Sequence, residues 1–216
     1  MRTLYNHFVF DIDGTLIDTE RTGVLSLQTT IKELMNVDMP YEEVYRFFGI
    51  PSFKVASMLG YKEEELFGLR WEQRFQELMD LVEPFPGVED VLKAVKAAGR
   101  CTGVVTSRSS KELGHDPYMM GFLKYIDFCV CSEDSERHKP YPDPMLAYMR
   151  KASEALGTEV LPSECLYLGD TSYDYGCGHD AGCAFALADW RNRGFQGIAA
   201  DYRFTDAEGI LKLLEI

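Results

Sequence analysis

Two aspartates, Asp11 and Asp13, close an apolar run from His7 to Phe10 and lead into Gly14-Thr15. A short run rich in aromatic and β-branched residues reads as a buried parallel strand. Ligands of open α/β sheets gather at the carboxyl ends of strands, where these acids fall. Side chains two residues apart share a face of extended backbone, so both carboxylates can converge on one ligand. Gly14 lets the chain turn there without a β-carbon in the way. The plain alternative is an Asp-Gly turn with Thr15 as a helix cap. Three later strand ends also carry polar groups. Val104-Val105 ends in Thr106 and Ser107, the strand through Cys131 leads to Lys139 among prolines, and Leu166–Leu168 ends in Gly169-Asp170, with Asp174 four residues on. Singly, each has a dull explanation: a cap, a solvated charge, a turn.

These residues need a scaffold. Apolar spacing predicts helices at 22–35, 41–48, 53–59 and 63–81, a helical insert interrupted by a loop at Phe48-Gly49-Ile50-Pro51-Ser52. Glu83-Pro84-Phe85-Pro86-Gly87 is the turn-rich return. Strands and helices then alternate: helix 88–98, strand 101–106, a broken helix 110–125 interrupted at Gly114–Pro117, strand 127–131, helix 144–156, and strand 165–168. A short helical turn at 173–181, strand 183–188, loop 191–197, edge strand 202–204 and helix 207–214 complete the pattern. The expected architecture is α/β: a Rossmann-like parallel-sheet core at 1–17 and 83–216, with a smaller α-helical domain at 18–82 inserted after the first strand.

A chain of 216 residues with 46% hydrophobic content can hold one large core, or a core with a smaller insert. A net charge of −13 argues against a nucleic-acid surface. It would also repel a phosphorylated ligand, so a phosphate site would need local positive charge, which a divalent metal and a lysine can supply. Six scattered cysteines include no C-x-x-C; Cys129 and Cys131 share a strand face and read as packing, not as a zinc site or disulfide framework. His7, His115, His138 and His179 form no ligand-spaced cluster. No apolar run is long enough to cross a bilayer, and Met1–Asn6 has no signal-peptide character, so the cytoplasm is the expected location.

Taken together, two carboxylates, a hydroxyl, a lysine and two more carboxylates, each following an apolar strand, resemble the haloacid dehalogenase (HAD) superfamily of phosphohydrolases. Asp11-Ile12-Asp13-Gly14-Thr15 is similar to its first motif, Thr106 to its second, Lys139 to its third and Gly169-Asp170…Asp174 to its fourth. Gly14–Glu20, Lys139–Pro144 and Pro86-Gly87-Val88 are similar to its phosphoglycolate-phosphatase-like and β-phosphoglucomutase-like branch. The resemblance spans nearly the whole chain.

It implies a Mg²⁺-dependent phosphatase acting on a small soluble phosphate monoester. Asp11 would be the nucleophile and Asp13 the general acid and base, with Asp13 standing against a dehalogenase, which lacks that acid. Thr106, Ser107 and Lys139 would hold phosphoryl oxygens. Asp11, the main-chain carbonyl of Asp13 and Asp170 would hold Mg²⁺, with Asp174 behind them. The insert would be a mobile cap whose loop 48–52 helps set specificity; Arg70 and Arg74 read as solvent-facing charges. A small phosphorylated metabolite is the expected partner, with no nucleic acid or membrane, and a monomer is expected because the cap covers the site. Departures from the family pattern are Thr106-Ser107-Arg108 in place of Thr-Asn, the break at Gly114–Pro117, His179–Gly182 and Asp189-Trp190. The alternatives are a phosphosugar mutase, a pyrophosphatase and, least favoured, a silent binding protein. A signalling receiver domain has its acids in the wrong strand order.

Overall fold

The structure, a computed structural model, describes residues 5–194 and 197–214. Residues 1–4, the centre of the loop expected at 191–197 and the last two residues lie outside the described residues. The chain divides into two compact units, Met1–Ile17 with Pro84–Ile216, and Asp18–Glu83.

Strand β1 (His7–Phe10) is buried at every position, and a two-residue strand, β2 (Ile17–Asp18), follows the Asp-Gly turn. The smaller unit then builds on α1 (Glu20–Met35), α2 (Tyr41–Val44), α3 (Ser52–Met58) and α4 (Glu64–Glu77). α1 buries Val24, Leu27 and Ile31, residues at helical spacing on one face. It ends at Asn36, whose left-handed conformation (φ 55°) returns its N–H to the Lys32 carbonyl. Phe67 of α4 is fully buried, and Trp71 Nε1 donates to Ser26 Oγ at 2.9 Å. Two expected helices are shorter than predicted. The one at 41–48 becomes the single turn α2 and a 3₁₀ turn, Tyr45–Phe47, and the one at 63–81 stops at Glu77 before a second 3₁₀ turn, Met79–Leu81. Apolar spacing alone does not separate a 3₁₀ turn from an α-helical one.

The chain returns through β3 (Glu83–Pro84), which pairs with β2. Then come α5 (Val88–Ala97), β4 (Cys101–Val105), α6 (Ser110–Gly114), α7 (Pro117–Phe122), β5 (Phe128–Val130) and α8 (Asp143–Leu156). The last elements are β6 (Cys165–Gly169), α9 (Ser172–Asp180), β7 (Ala184–Ala188), β8 (Tyr202–Phe204) and α10 (Glu208–Leu211). The short turn expected at 173–181 is a nine-residue helix, because Thr171 and Asp174 form a capping box at its start. The helix expected at 207–214 contracts to α10.

The main sheet has six strands in the order β5-β4-β1-β6-β7-β8, and every pairing is parallel. β1 lies between β4 and β6, with His7 level with both Cys101 and Cys165. Helix α8 packs close to β4 because Gly103 has no β-carbon; one placed there would strike the Tyr148 ring. Tyr148 is fully buried and its hydroxyl sits 3.0 Å from His7 Nδ1. This register sets the ends of β4, β1 and β6 side by side.

Candidate active site

Asp11 directly follows β1, Thr106 follows β4 and Asp170 follows β6. Their backbones are tied to the sheet: the Asp11 N–H donates to the Leu168 carbonyl at 2.8 Å and the Thr106 N–H to the Val130 carbonyl at 3.0 Å. Lys139 comes from the loop between β5 and α8, and Asp174 from the first turn of α9. Asp11, Thr106 and Asp170 thus stand at the carboxyl ends of three adjacent strands, and Lys139 and Asp174 are brought to Asp11 from the segments beyond.

Carboxylate oxygens of Asp11, Asp170 and Asp174 lie within 4.8 Å of one another, the spacing of a metal-ligating set. Lys139 Nζ reaches into this cluster, 2.6 Å from Asp11 Oδ1 and 2.7 Å from Asp174 Oδ1. It also lies 5.4 Å from the centre of the Tyr167 ring. Far from being a solvated surface charge, Lys139 is 4% exposed.

Burial pushes the Asp11 carboxyl up to about 7, and the Asp174 and Asp13 charges add to this against the opposing pull of Lys139. Burial likewise raises Asp170 well above the usual carboxylate range, helped by Asp174 and Asp11. Burial alone would lower the Lys139 ammonium, but Asp11 and Asp174 outweigh it and hold the group charged. With every group ionised, three carboxylates against one ammonium leave two negative charges, the complement of one divalent cation.

The acids differ in what already occupies them. Asp174 is saturated: Oδ1 accepts from Lys139 and from the Tyr167 hydroxyl at 3.0 Å, and Oδ2 from Thr171 N–H at 3.1 Å and Thr171 Oγ1 at 2.5 Å. Asp170 Oδ1 is buried with no hydrogen-bond partner. An unsatisfied buried carboxylate oxygen costs more than a neutral polar atom in the same position. Hard oxygen donors with one orphaned buried oxygen fit a Mg²⁺-type cation.

Asp13 turns away from this cluster. Both its oxygens face the Arg108 guanidinium, Oδ1 accepting from Nη2 at 2.6 Å and Oδ2 from Nε at 2.9 Å. Arg108 Nη1 donates to Asp116 Oδ2 at 2.7 Å. Neither Arg108 nor Asp116 stands out as a site residue from the sequence alone. The sequence signals for them are Arg108 standing two after Thr106 and Asp116-Pro117, an N-cap followed by a helix-starting proline. Thr106 is buried and its Oγ1 accepts the Arg108 N–H at 3.1 Å, while Ser107 is half-buried. Thr15 caps no helix; it is buried, its Oγ1 has no hydrogen-bond partner, and its carbonyl accepts Trp190 Nε1 at 2.9 Å. In the smaller unit, Arg74 pairs with Glu33 at 2.9 Å and Glu77 at 2.6 Å, and Arg70 stands 4.0 Å from Glu33.

A family model of haloacid dehalogenase-like hydrolases matches residues 8–188. A Clostridium perfringens protein provisionally named pyrophosphatase PpaX is 33% identical over 186 residues, covering 81% of this chain and 79% of that one. Pyrophosphatase PpaX of Bacillus velezensis is 27% identical over 209 residues, covering 95% and 94%. Among solved structures, a Lactobacillus plantarum protein provisionally described as a phosphoglycolate phosphatase superposes with a TM-score of 0.85 at 23% identity, covering 97% and 99%, a likeness of fold. The chain belongs to the haloacid dehalogenase-like hydrolases.

Proposed function

We propose that this phosphohydrolase is a Mg²⁺-dependent phosphatase that cleaves a small soluble phosphate monoester through an aspartyl-phosphate on Asp11. What carries the reading is Asp170 Oδ1, a buried carboxylate oxygen without a partner, set within 4.8 Å of carboxylate oxygens of Asp11 and Asp174. Asp11, Asp170 and the Asp13 main-chain carbonyl would hold the cation. Bound there, Mg²⁺ supplies the positive charge that lets a carboxylate approach an anionic phosphoryl group. Asp174, its oxygens taken by Lys139, Tyr167 and Thr171, orients the others.

In the first half-reaction an Asp11 oxygen attacks phosphorus, and the leaving-group oxygen departs with its bond electrons and takes a proton from Asp13. In the second, water gives its proton back to Asp13 as its oxygen attacks phosphorus, and the Asp11–phosphorus bond breaks to release phosphate. Lys139 places a fixed positive charge against the transferring phosphoryl oxygens, with Thr106 and Ser107 at the neighbouring strand end. The unit Asp18–Glu83 acts as a cap that excludes water from the first half-reaction. Six unpaired cysteines suit a reducing compartment, and the enzyme works in the cytoplasm. Among the described residues no helix is long and apolar enough to cross a membrane.

A second reading, pyrophosphate as substrate, is favoured by the likeness over most of the chain to proteins named pyrophosphatase PpaX. Phosphate release from a panel of phosphoglycolate, pyrophosphate, sugar phosphates and nucleotides tests both. Release from a monoester in preference to pyrophosphate supports the first reading, and the reverse order supports the second. Isomerisation of a sugar phosphate with no phosphate release would replace both with a mutase.

A further inference from the structure

We infer that Arg108 is a positioning residue that orients Asp13, and that Asp116 is the anchor that orients Arg108. This rests on the assignment of Asp13 as general acid and base made above.

Arg108 is fixed at both ends. Its N–H donates to Thr106 Oγ1 at 3.1 Å, and its carbonyl accepts the Ser132 N–H at 2.9 Å. At the far end, Nη1 donates to Asp116 Oδ2 at 2.7 Å. Asp116 is 1% exposed and divides its carboxylate: Oδ2 takes the guanidinium, while Oδ1 accepts the N–H groups of Tyr118 and Met119 at 2.9 and 3.0 Å to cap α7. A helix cap and an ion pair therefore fix one acid, and that acid fixes the arginine.

The guanidinium then presents Nε and Nη2 to the two oxygens of Asp13. A planar fork of this kind sets the plane of a carboxylate, which a single ammonium does not. The Asp13 side chain is 29% exposed and that of Arg108 11%, so the acid is the open end of the chain and the arginine stands behind it. Arg108 acts through Asp13 and not on substrate.

The test compares kcat/KM, which covers the steps through leaving-group departure, for p-nitrophenyl phosphate and for an aliphatic phosphate. The first leaving group departs with little help from an acid and the second depends on one. In the 216-residue chain, Arg108→Gln should lower kcat/KM for the aliphatic phosphate about 100-fold and for p-nitrophenyl phosphate much less. Arg108→Lys, which keeps a charge between the two acids, should show the same preference more weakly, and it carries the test if Arg108→Gln does not fold. Asp116→Asn keeps a side chain able to cap α7 and should move the ratio the same way. The double variant should be no worse than Arg108→Gln alone, because both act along one path. An equal loss on both substrates, or additive losses in the double variant, would reduce these residues to a structural role and overturn the inference. Asp13→Asn separates the two claims. If it spares the aliphatic phosphate, the assignment of Asp13 fails; if it abolishes that activity while Arg108→Gln leaves the ratio unchanged, only the present inference fails.

Discussion

A β-carbon on Gly14 would overlap the carboxylate of Asp170, so the turn after the first pair of acids and the end of β6 can meet only because residue 14 is glycine. Gly14 also has φ +86°, a conformation that side chains with a β-carbon rarely adopt. Gly14→Ala should therefore act at the site as well as on the backbone. The predicted result is loss of most activity and a drop in stability of about 1–3 kcal/mol. Denaturant unfolding and phosphate release on one preparation check both. Unchanged activity would mean that the position of Asp170 is not critical.

Asp170 is the second place to intervene. Asp170→Asn removes a carboxyl that burial and two neighbouring acids already disfavour in its charged form and whose Oδ1 has no partner, so the metal-free protein should be as stable as the parent or more so. In the parent, Mg²⁺ at about 100 times its dissociation constant should raise Tm by about 5–10 °C. The variant should lose that shift. An undiminished shift would place the cation elsewhere.

Lys139→Met leaves Asp11 and Asp174 buried without their shared cation. Removing one member of a buried ion pair costs about 3–5 kcal/mol, and a loss of that order is predicted here, together with loss of turnover. Thermal unfolding measures it. A loss near zero would mean that the acids are neutralised in some other way.

Much of this arrangement was legible in the sequence because Asp11, Thr106 and Asp170 each follow an apolar run, and parallel strands put their carboxyl ends together. Asp11, Thr106 and Asp170 could be placed from strand ends alone. Lys139 could not: taken singly, a lysine among prolines reads as a surface charge, and only the resemblance to the family's third motif gives it a role before the fold buries it against two acids. The Asp116–Arg108–Asp13 chain was hidden for a similar reason. Gly114–Pro117 reads as a helix break, which it is, but its second role as an anchor needs the tertiary approach of residues 13 and 108. In the smaller unit, spacing located the helices but not where α-helix gives way to 3₁₀ turns.

His7 gives a pH dependence separate from the acids. Burial lowers its pKa below the usual 6.5, against the weaker upward pull of Glu164 and Asp127. As pH falls below that value the unfolded chain takes up a proton that the buried ring resists, so stability falls with pH. Tm measured between about pH 8 and about pH 5 should drop more steeply in the parent than in His7→Asn. Parallel curves would show that His7 contributes nothing to acid sensitivity.

Metal-dependent phosphoryl transfer to Asp11 is checked by phosphate release with Mg²⁺ and with EDTA, in the parent and in Asp11→Asn. Release from at least one small phosphorylated compound should need Mg²⁺, stop with EDTA and be absent in Asp11→Asn even though that variant folds. Release that persists in Asp11→Asn, or that is indifferent to EDTA, would contradict it.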